Sequence, residues 1–457
     1  MSLQSRYRFG TAWLPEGWRR NVVVVVDVAG TIAAITPDDI DTTAATVPGA
    51  ALPGMPNVHS HAFQRAMVGL AERRSSGRDS FWTWREAMYE LARRMTPEAL
   101  NAVAAQLYVE MLKAGYTAVC EFHYLHNQAD GSPFADGDIM SHALVDAASS
   151  AGIGLTLLPT AYMTADFGGA APTQRQRQFV VDADRFVALV ERLRASAART
   201  GRWEVGVALH SLRAVPPAAL AHILDALAER APCPIHIHVA EQQREVAASL
   251  QHLGQRPVEW LMEHADVDAH WCLVHATHTT AAELAAIARS NAVVALCPTT
   301  EANLGDGVFA LDRYRDARGL LAIGSDSQIS VSPAEELRWL EYQARLTQHE
   351  RNIVCGETES TGATLWRAAC TGGAQASGRA IGALAVGRRA DIVVLDTESP
   401  LLAGRDGDAI LDTHVFAGQP SSIRDVMVGG RWVVQDGRHF AETTIAAGFR
   451  RTLSQIT

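Results

Sequence analysis

The chain has 457 residues, 48% of them hydrophobic, with 40 Lys and Arg against 50 Asp and Glu for a net charge of −10. That length exceeds what one hydrophobic core usually organises, so a large domain with a smaller companion is expected. The acidic balance, with no dense Lys/Arg run or basic helix, argues against a nucleic-acid partner, and an anionic small molecule would need local arginines.

Residues 1–50 read as short strands that cannot bury themselves alone: YRFGTAWL, then NVVVVVDVAGTIAAI, whose Ala-Gly marks a hairpin turn. The run VVVVVDV is far too short to span a bilayer, and no charged segment with an apolar core precedes it. No membrane association is expected, and the cytoplasm is the expected location. Eight apolar runs then alternate with helical patterns: PNVHSH, TAVCEFHY, GIGLTLLPT, WEVGVALHS, CPIHIHVAE, WCLVHAT, AVVALCP and LLAIGSD. Ala- and Leu-rich helices such as 216–230 and 280–289 fill the gaps, which predicts an α/β chain with a (β/α)8 TIM-like barrel over 53–382. Residues 163–178 read as a loop. Strands return at ADIVVLD (390–396) and VMVGGRWVVQDGRH (426–439), with Gly-Gly and Asp-Gly turns. The economical arrangement is a small β-sandwich domain formed from both termini, 1–52 and 383–457. The six cysteines (120, 233, 272, 297, 355 and 370) contain no C-x-x-C pair and read as reduced, mostly buried residues.

Polar residues gather where the apolar runs end, the face on which barrel active sites are built. His59 and His61 stand two apart, so both imidazoles can aim at one metal ion. HIHVAE follows at 236–241, His275 stands in LVHAT, and Asp326 in IGSDS. Zinc favours imidazole nitrogen and carboxylate oxygen and leaves a position for water in catalytic sites; iron or another divalent ion would accept the same ligands. His236 and His238 share a strand face and compete for one ligand position.

On these strings, together with GMPNVHSHAFQRAM, FHYLH, ALHSLRAV, VGRRADIVVLD and VMVGGRWVVQDG, the chain resembles the amidohydrolase superfamily over nearly its whole length. The resemblance lies in its branch of mononuclear-metal deaminases, and the longer strings are similar to deiminases of a linear amidine in bacterial histidine degradation. It implies one Zn2+ per subunit held by His59, His61, His238 and Asp326. His238 is preferred to His236 because Glu241 follows it at the family's ligand-to-acid spacing. Two-metal members of the superfamily commonly use a carboxylated lysine after the fourth barrel strand. The single lysine here, Lys113, precedes the second.

The implied reaction is hydrolysis of N-formimino-L-glutamate to N-formyl-L-glutamate and ammonia, by a homodimer. Asp326 would take the proton of the attacking water, His275 would hydrogen-bond the nucleophile or the tetrahedral centre, and Glu241 would protonate the departing nitrogen. A dicarboxylate needs cationic partners, and Arg213 is the first candidate. Gln64, Tyr124, His210 and Arg85 are the others, Arg85 lying in a segment, 80–90, that could fold over the mouth as a lid. Phe81, Trp82 and Trp84 read as a packed helix face, and His123, His126 and His278 as structural or surface residues. A deaminase of a heterocycle such as guanine or cytosine would use the same metal site, but a neutral ring offers Arg213 no carboxylate. A non-catalytic barrel is the remaining alternative, against which every expected ligand and acid is present.

Overall fold

The structure is a computed structural model that describes residues 4–72, 81–418 and 420–456. Alternating and β-branched residues open the chain as a long hairpin, β1 (Ser5–Leu14) with β2 (Gly17–Val26), followed by β3 (Ile32–Thr36). These strands are longer than the short ones expected, because the valine run of β2 pairs along its whole length with β1. A strand not anticipated, β4 (Ala45–Pro53), lies parallel to β1. The C-terminal segment adds β14 (Ile392–Leu395), β15 (Ile423–Val428), β16 (Arg431–Gln435) and β17 (Arg438–His439), joined to the first group by antiparallel pairing of β14 with β4. The result is one eight-stranded sheet built from both ends of the chain. Its wings face each other. Val22, Val24 and Ile32 share a core with Ile392, Val394 and Met427, and Tyr7 meets Trp432 edge-on at 5.5 Å.

Between these segments the eight expected barrel strands form. They are β5 (Met55–Ser60), β6 (Tyr116–His123), β7 (Gly154–Ala161), β9 (Val207–Ser211), β10 (Ile235–Val239), β11 (Trp271–His275), β12 (Val293–Leu296) and β13 (Leu320–Ile323). The two-residue β8 (Glu204–Val205) pairs only with β7. All neighbouring pairs are parallel. The ring closes where the Asp326 amide donates to the His59 carbonyl at 3.0 Å and the His61 amide to the Asp326 carbonyl at 3.2 Å.

Helices between the strands follow ordinary end signals. Pro97–Ala114, for example, begins at Thr96, whose hydroxyl accepts from the Ala99 amide, and ends at a left-handed Gly115. Lys113 on this helix pairs with Glu442 at 2.7 Å, away from the strand ends. The terminal sheet joins the barrel without a linker: β4 runs through Gly54 into β5, and a β-carbon at Gly54 would meet the Thr117 side chain at 2.3 Å. Only glycine allows so close an approach. The cysteines are free, four of them buried, Cys233 half-buried and Cys355 exposed.

Candidate active site

Three imidazoles and one carboxylate converge at the C-terminal ends of β5, β10 and β13. The Nε2 atoms of His59 and His61 each lie 3.4 Å from Asp326 Oδ1, and His59 Nε2 lies 3.0 Å from His238 Nε2. His61 Nδ1 is 2.9 Å from the Phe122 carbonyl and His238 Nδ1 is 2.8 Å from the His210 carbonyl. A carbonyl only accepts, so both Nδ1 atoms carry the proton and both Nε2 atoms present a lone pair inward. Burial also keeps these rings neutral, lowering His59 to about 3 and holding His61 and His238 below the usual imidazole range. Burial opposes ionisation of Asp326, but its contact with His59 and the charge of His275 outweigh it and hold the carboxyl below its ordinary range. Lone pairs this close, facing one anion in a buried site, fit a divalent cation and little else. His236, two residues earlier on β10, instead bonds the Ala376 carbonyl at 2.8 Å through Nε2, as a packed barrel residue does.

Beside this cluster stand the acid/base candidates. His275 Nε2 is 3.7 Å from Asp326 Oδ2 and 3.8 Å from Glu241 Oε1. Burial raises Glu241 to about 7, with His275 and Arg213 opposing and Asp326 and Glu245 adding to the rise. Burial alone would lower His275, but Glu241, the bond to Glu301 and Asp326 raise it. The backbone here is unusual: Ala240, His275 and Asp326 have φ of 52°, 70° and 44°. Non-glycine residues rarely adopt such angles, and functional sites are where they collect.

Two buried carboxylates that sequence reasoning passed over hold this geometry. Glu301 Oε1 lies 3.2 Å from His275 Nδ1 and also accepts from the Cys297 amide. Glu245 accepts from the amides of Ala240 and Glu241 at 3.2 and 3.0 Å, fixing the turn that presents Glu241. Neither stands at a strand end. Their only signal is a buried position in the first turn of the following helix, which spacing alone does not separate from an ordinary helix-start acid.

A pocket opens above the cluster and is lined by Gln64, Arg85, Tyr124, His210 and Arg213, the five expected substrate residues, together with Glu241, His275 and Asp326. Gln64 Nε2 donates to the Tyr124 hydroxyl at 3.0 Å, while Gln64 Oε1 and the Nε atoms of Arg85 and Arg213 are buried without a partner among the described residues. Residue 80 of the anticipated lid lies outside the described residues; the rest begins the helix Phe81–Ala92. One expectation is corrected here. Phe81 and Trp84 are more than a packed helix face: they stack on each other and Trp84 packs on the core, but both also line the pocket with Met88 and Tyr89. The segment 163–178, expected as a loop, carries the 3-10 turns Phe167–Gly169 and Gln174–Phe179; Arg175 in the second braces the helix by pairing with Glu86 at 2.5 Å, and Gln176 donates to the hydroxyl of the pocket residue Tyr162 at 2.6 Å. His126 and His278 bond the carbonyls of Thr160 and Asp306, and His123 is buried, as structural residues would be.

The sequence pattern of the amidohydrolase family matches residues 50–433. A formimidoylglutamate deiminase of Pseudomonas aeruginosa is 51% identical over 446 residues, covering 97% of this chain and 98% of its own. The crystal structure of an amidohydrolase from Brucella melitensis superposes with a TM-score of 0.94 at 43% identity, covering 99% of both chains. An adenosine deaminase from Xanthomonas campestris with bound zinc shares the fold, with a TM-score of 0.82 at 22% identity over 99% of this chain and 98% of its own.

Proposed function

The chain belongs to the amidohydrolase family, and on that premise we propose that it hydrolyses the formimino C–N bond of N-formimino-L-glutamate, releasing ammonia and leaving N-formyl-L-glutamate. It is a hydrolase of C–N bonds, and the deiminase of Pseudomonas aeruginosa supports the choice of substrate. The observation that carries the reading is a pocket that joins the His/Asp cluster to two guanidinium groups without an ion pair among the described residues, buried Arg213 and half-buried Arg85. A dicarboxylate suits those groups, whereas a neutral heterocycle would leave them desolvated and unmatched.

His59, His61, His238 and Asp326 would hold a divalent cation, zinc by the donor set, whose chemistry here would be to make water acidic enough to serve as a nucleophile near neutral pH. Asp326, kept ionised, accepts the proton of that water. His275, oriented by Glu301, donates to the oxygen that adds to the formimino carbon. Glu241 delivers a proton to the leaving nitrogen so that ammonia departs rather than an amide anion. Burial keeps part of the Glu241 population protonated at neutral pH, as this role requires. Arg213 and Arg85 grip the two carboxylates, and Gln64, Tyr124 and His210 fill the polar wall between them and the reacting carbon.

The same reading includes zinc as the resident metal, a place in histidine degradation, a cytoplasmic location and a homodimer. Among the described residues no helix is long and apolar enough to cross a membrane. The experiment is ammonia release by zinc-loaded protein from N-formimino-L-glutamate, with formiminoglycine, guanine and cytosine alongside. Release from formiminoglutamate in strong preference to the others is expected; release from a heterocycle alone overturns the substrate assignment.

A further inference from the structure

Outside the pocket, the indole of Trp82 is surrounded by cations. The guanidinium carbons of Arg244, Arg85 and Arg213 lie 4.2, 4.5 and 5.7 Å from its ring centroid. All three are within cation–π range. Arg85 and Arg213 line the pocket, whereas Arg244 does not; it is exposed on the helix Gln243–Leu253, which starts two residues after Glu241. None of the three makes an ion pair among the described residues, unlike Arg175 with Glu86 or Arg256 with Glu283. Burial disfavours the charge on Arg213, but the carboxylates of Glu245, Glu241 and Asp166 face it and raise its pKa without pairing with it, and Glu86 pairs with Arg175. Arg244, exposed and held over the indole, is therefore the outermost of three cations that lead to the pocket on a chain whose net charge of −10 repels anions.

We propose that Arg244 is an outer anion-capturing residue that draws the two carboxylates of the substrate to the pocket and passes them inward to Arg85 and Arg213. It does not touch the reacting atoms. Trp82 fixes the guanidinium by stacking while leaving its N–H groups free for the incoming anion. The inference rests on the dicarboxylate reading of the pocket and adds to it a residue that selects by charge before the pocket selects by shape.

The test is the salt dependence of kcat/KM for N-formimino-L-glutamate, from about 10 to about 500 mM NaCl, in the wild type, Arg244→Gln and Arg244→Lys. One charge acting on the carboxylate end of the substrate across several ångströms of water predicts a loss of roughly threefold to tenfold for Arg244→Gln at low salt. That loss should vanish at high salt, where the field is screened, with kcat within about twofold throughout. Arg244→Lys should retain the wild-type salt slope although it loses the planar stack. A purely packing role would instead give both variants the same deficit at every salt concentration, and an Arg244→Gln slope equal to the wild type overturns the proposal. Binding of glutarate, read by tryptophan fluorescence, makes the same comparison without turnover. Salt-sensitive glutarate binding by a protein inert toward formiminoglutamate would refute the reaction and leave the anion capture standing; salt-insensitive binding refutes the capture alone.

Discussion

Glu241 should weaken the protein it serves. Its carboxyl is fully inside the fold, and burial lifts it from an ordinary 4.5 to about 7. Between those two pH values the folded chain holds a proton that the unfolded chain has released. The contribution of this group to stability is therefore fully present below 4.5 and is lost as pH rises through about 7. At 1.36 kcal/mol per pH unit, the burden on the folded state above pH 7 is about 3 kcal/mol. Glu241→Gln carries no charge to bury. In chelator-stripped protein, urea unfolding at about pH 8 should show the variant more stable by roughly 2–3 kcal/mol, with a gap near 1 kcal/mol or less at about pH 5. Zinc-loaded, the same variant should retain its metal but lose about 10²–10⁴-fold in kcat. A pH-independent gap, or a variant less stable than wild type at pH 8, would refute the burial argument. Turnover within tenfold of wild type in metal-replete Glu241→Gln would refute the proton-donor role.

Arg213→Gln should reduce kcat/KM for formiminoglutamate by about 10- to 100-fold, chiefly through KM and with metal content unchanged, because a charge-assisted pair is lost; a change under threefold would remove Arg213 from the substrate site. Chelation should abolish turnover and lower the thermal midpoint, and added zinc should restore both, since an ion bound only by the folded state stabilises it; His61→Ala should bind far less metal by elemental analysis, and full occupancy in that variant would exclude His61 as a ligand. Gly372→Ala should cost about 1–3 kcal/mol in urea unfolding, because its new β-carbon would sit 2.1 Å from the Leu321 carbonyl oxygen; an unchanged midpoint would show that the helix Thr361–Ser377 can move off β13.

Much of the barrel is legible in the amino-acid sequence because its strands are compact apolar runs, several of which end at or beside a His or an Asp. His59, His61, His238, His275 and Asp326 all stand at such ends, where strand periodicity alone dictates that they share one face of the ring. β4 was not legible: ATVPGAALP is made of small residues with proline and glycine, and its strand character comes from pairing with β1 and β14 rather than from its own pattern. The aromatic side of the helix Phe81–Ala92 shows the limit of periodicity. A stripe of Phe81, Trp84, Met88 and Tyr89 declares one apolar face, and nothing local says whether that face meets a neighbouring helix or a cavity. Glu301 and Glu245 are a third kind of case, since an acid in the first turn of a helix has a sufficient local reason to be there. Only the tertiary fold turns these two toward His275 and the turn before Glu241.

The meeting of β5 with the residues after β13 also fixes an order of assembly. His59 and His61 belong to the first strand of the ring and Asp326 to the last, so their ligand atoms come together only when the two ends of the barrel dock. A half-made chain leaving the ribosome has at most scattered histidines to offer an ion, and weak, exchangeable binding to match. Long-range closure of this kind is slow and entropically costly. On the proposed metal site, tight retention would belong to the completed ring alone, and the bound ion would also reward the final step of its folding.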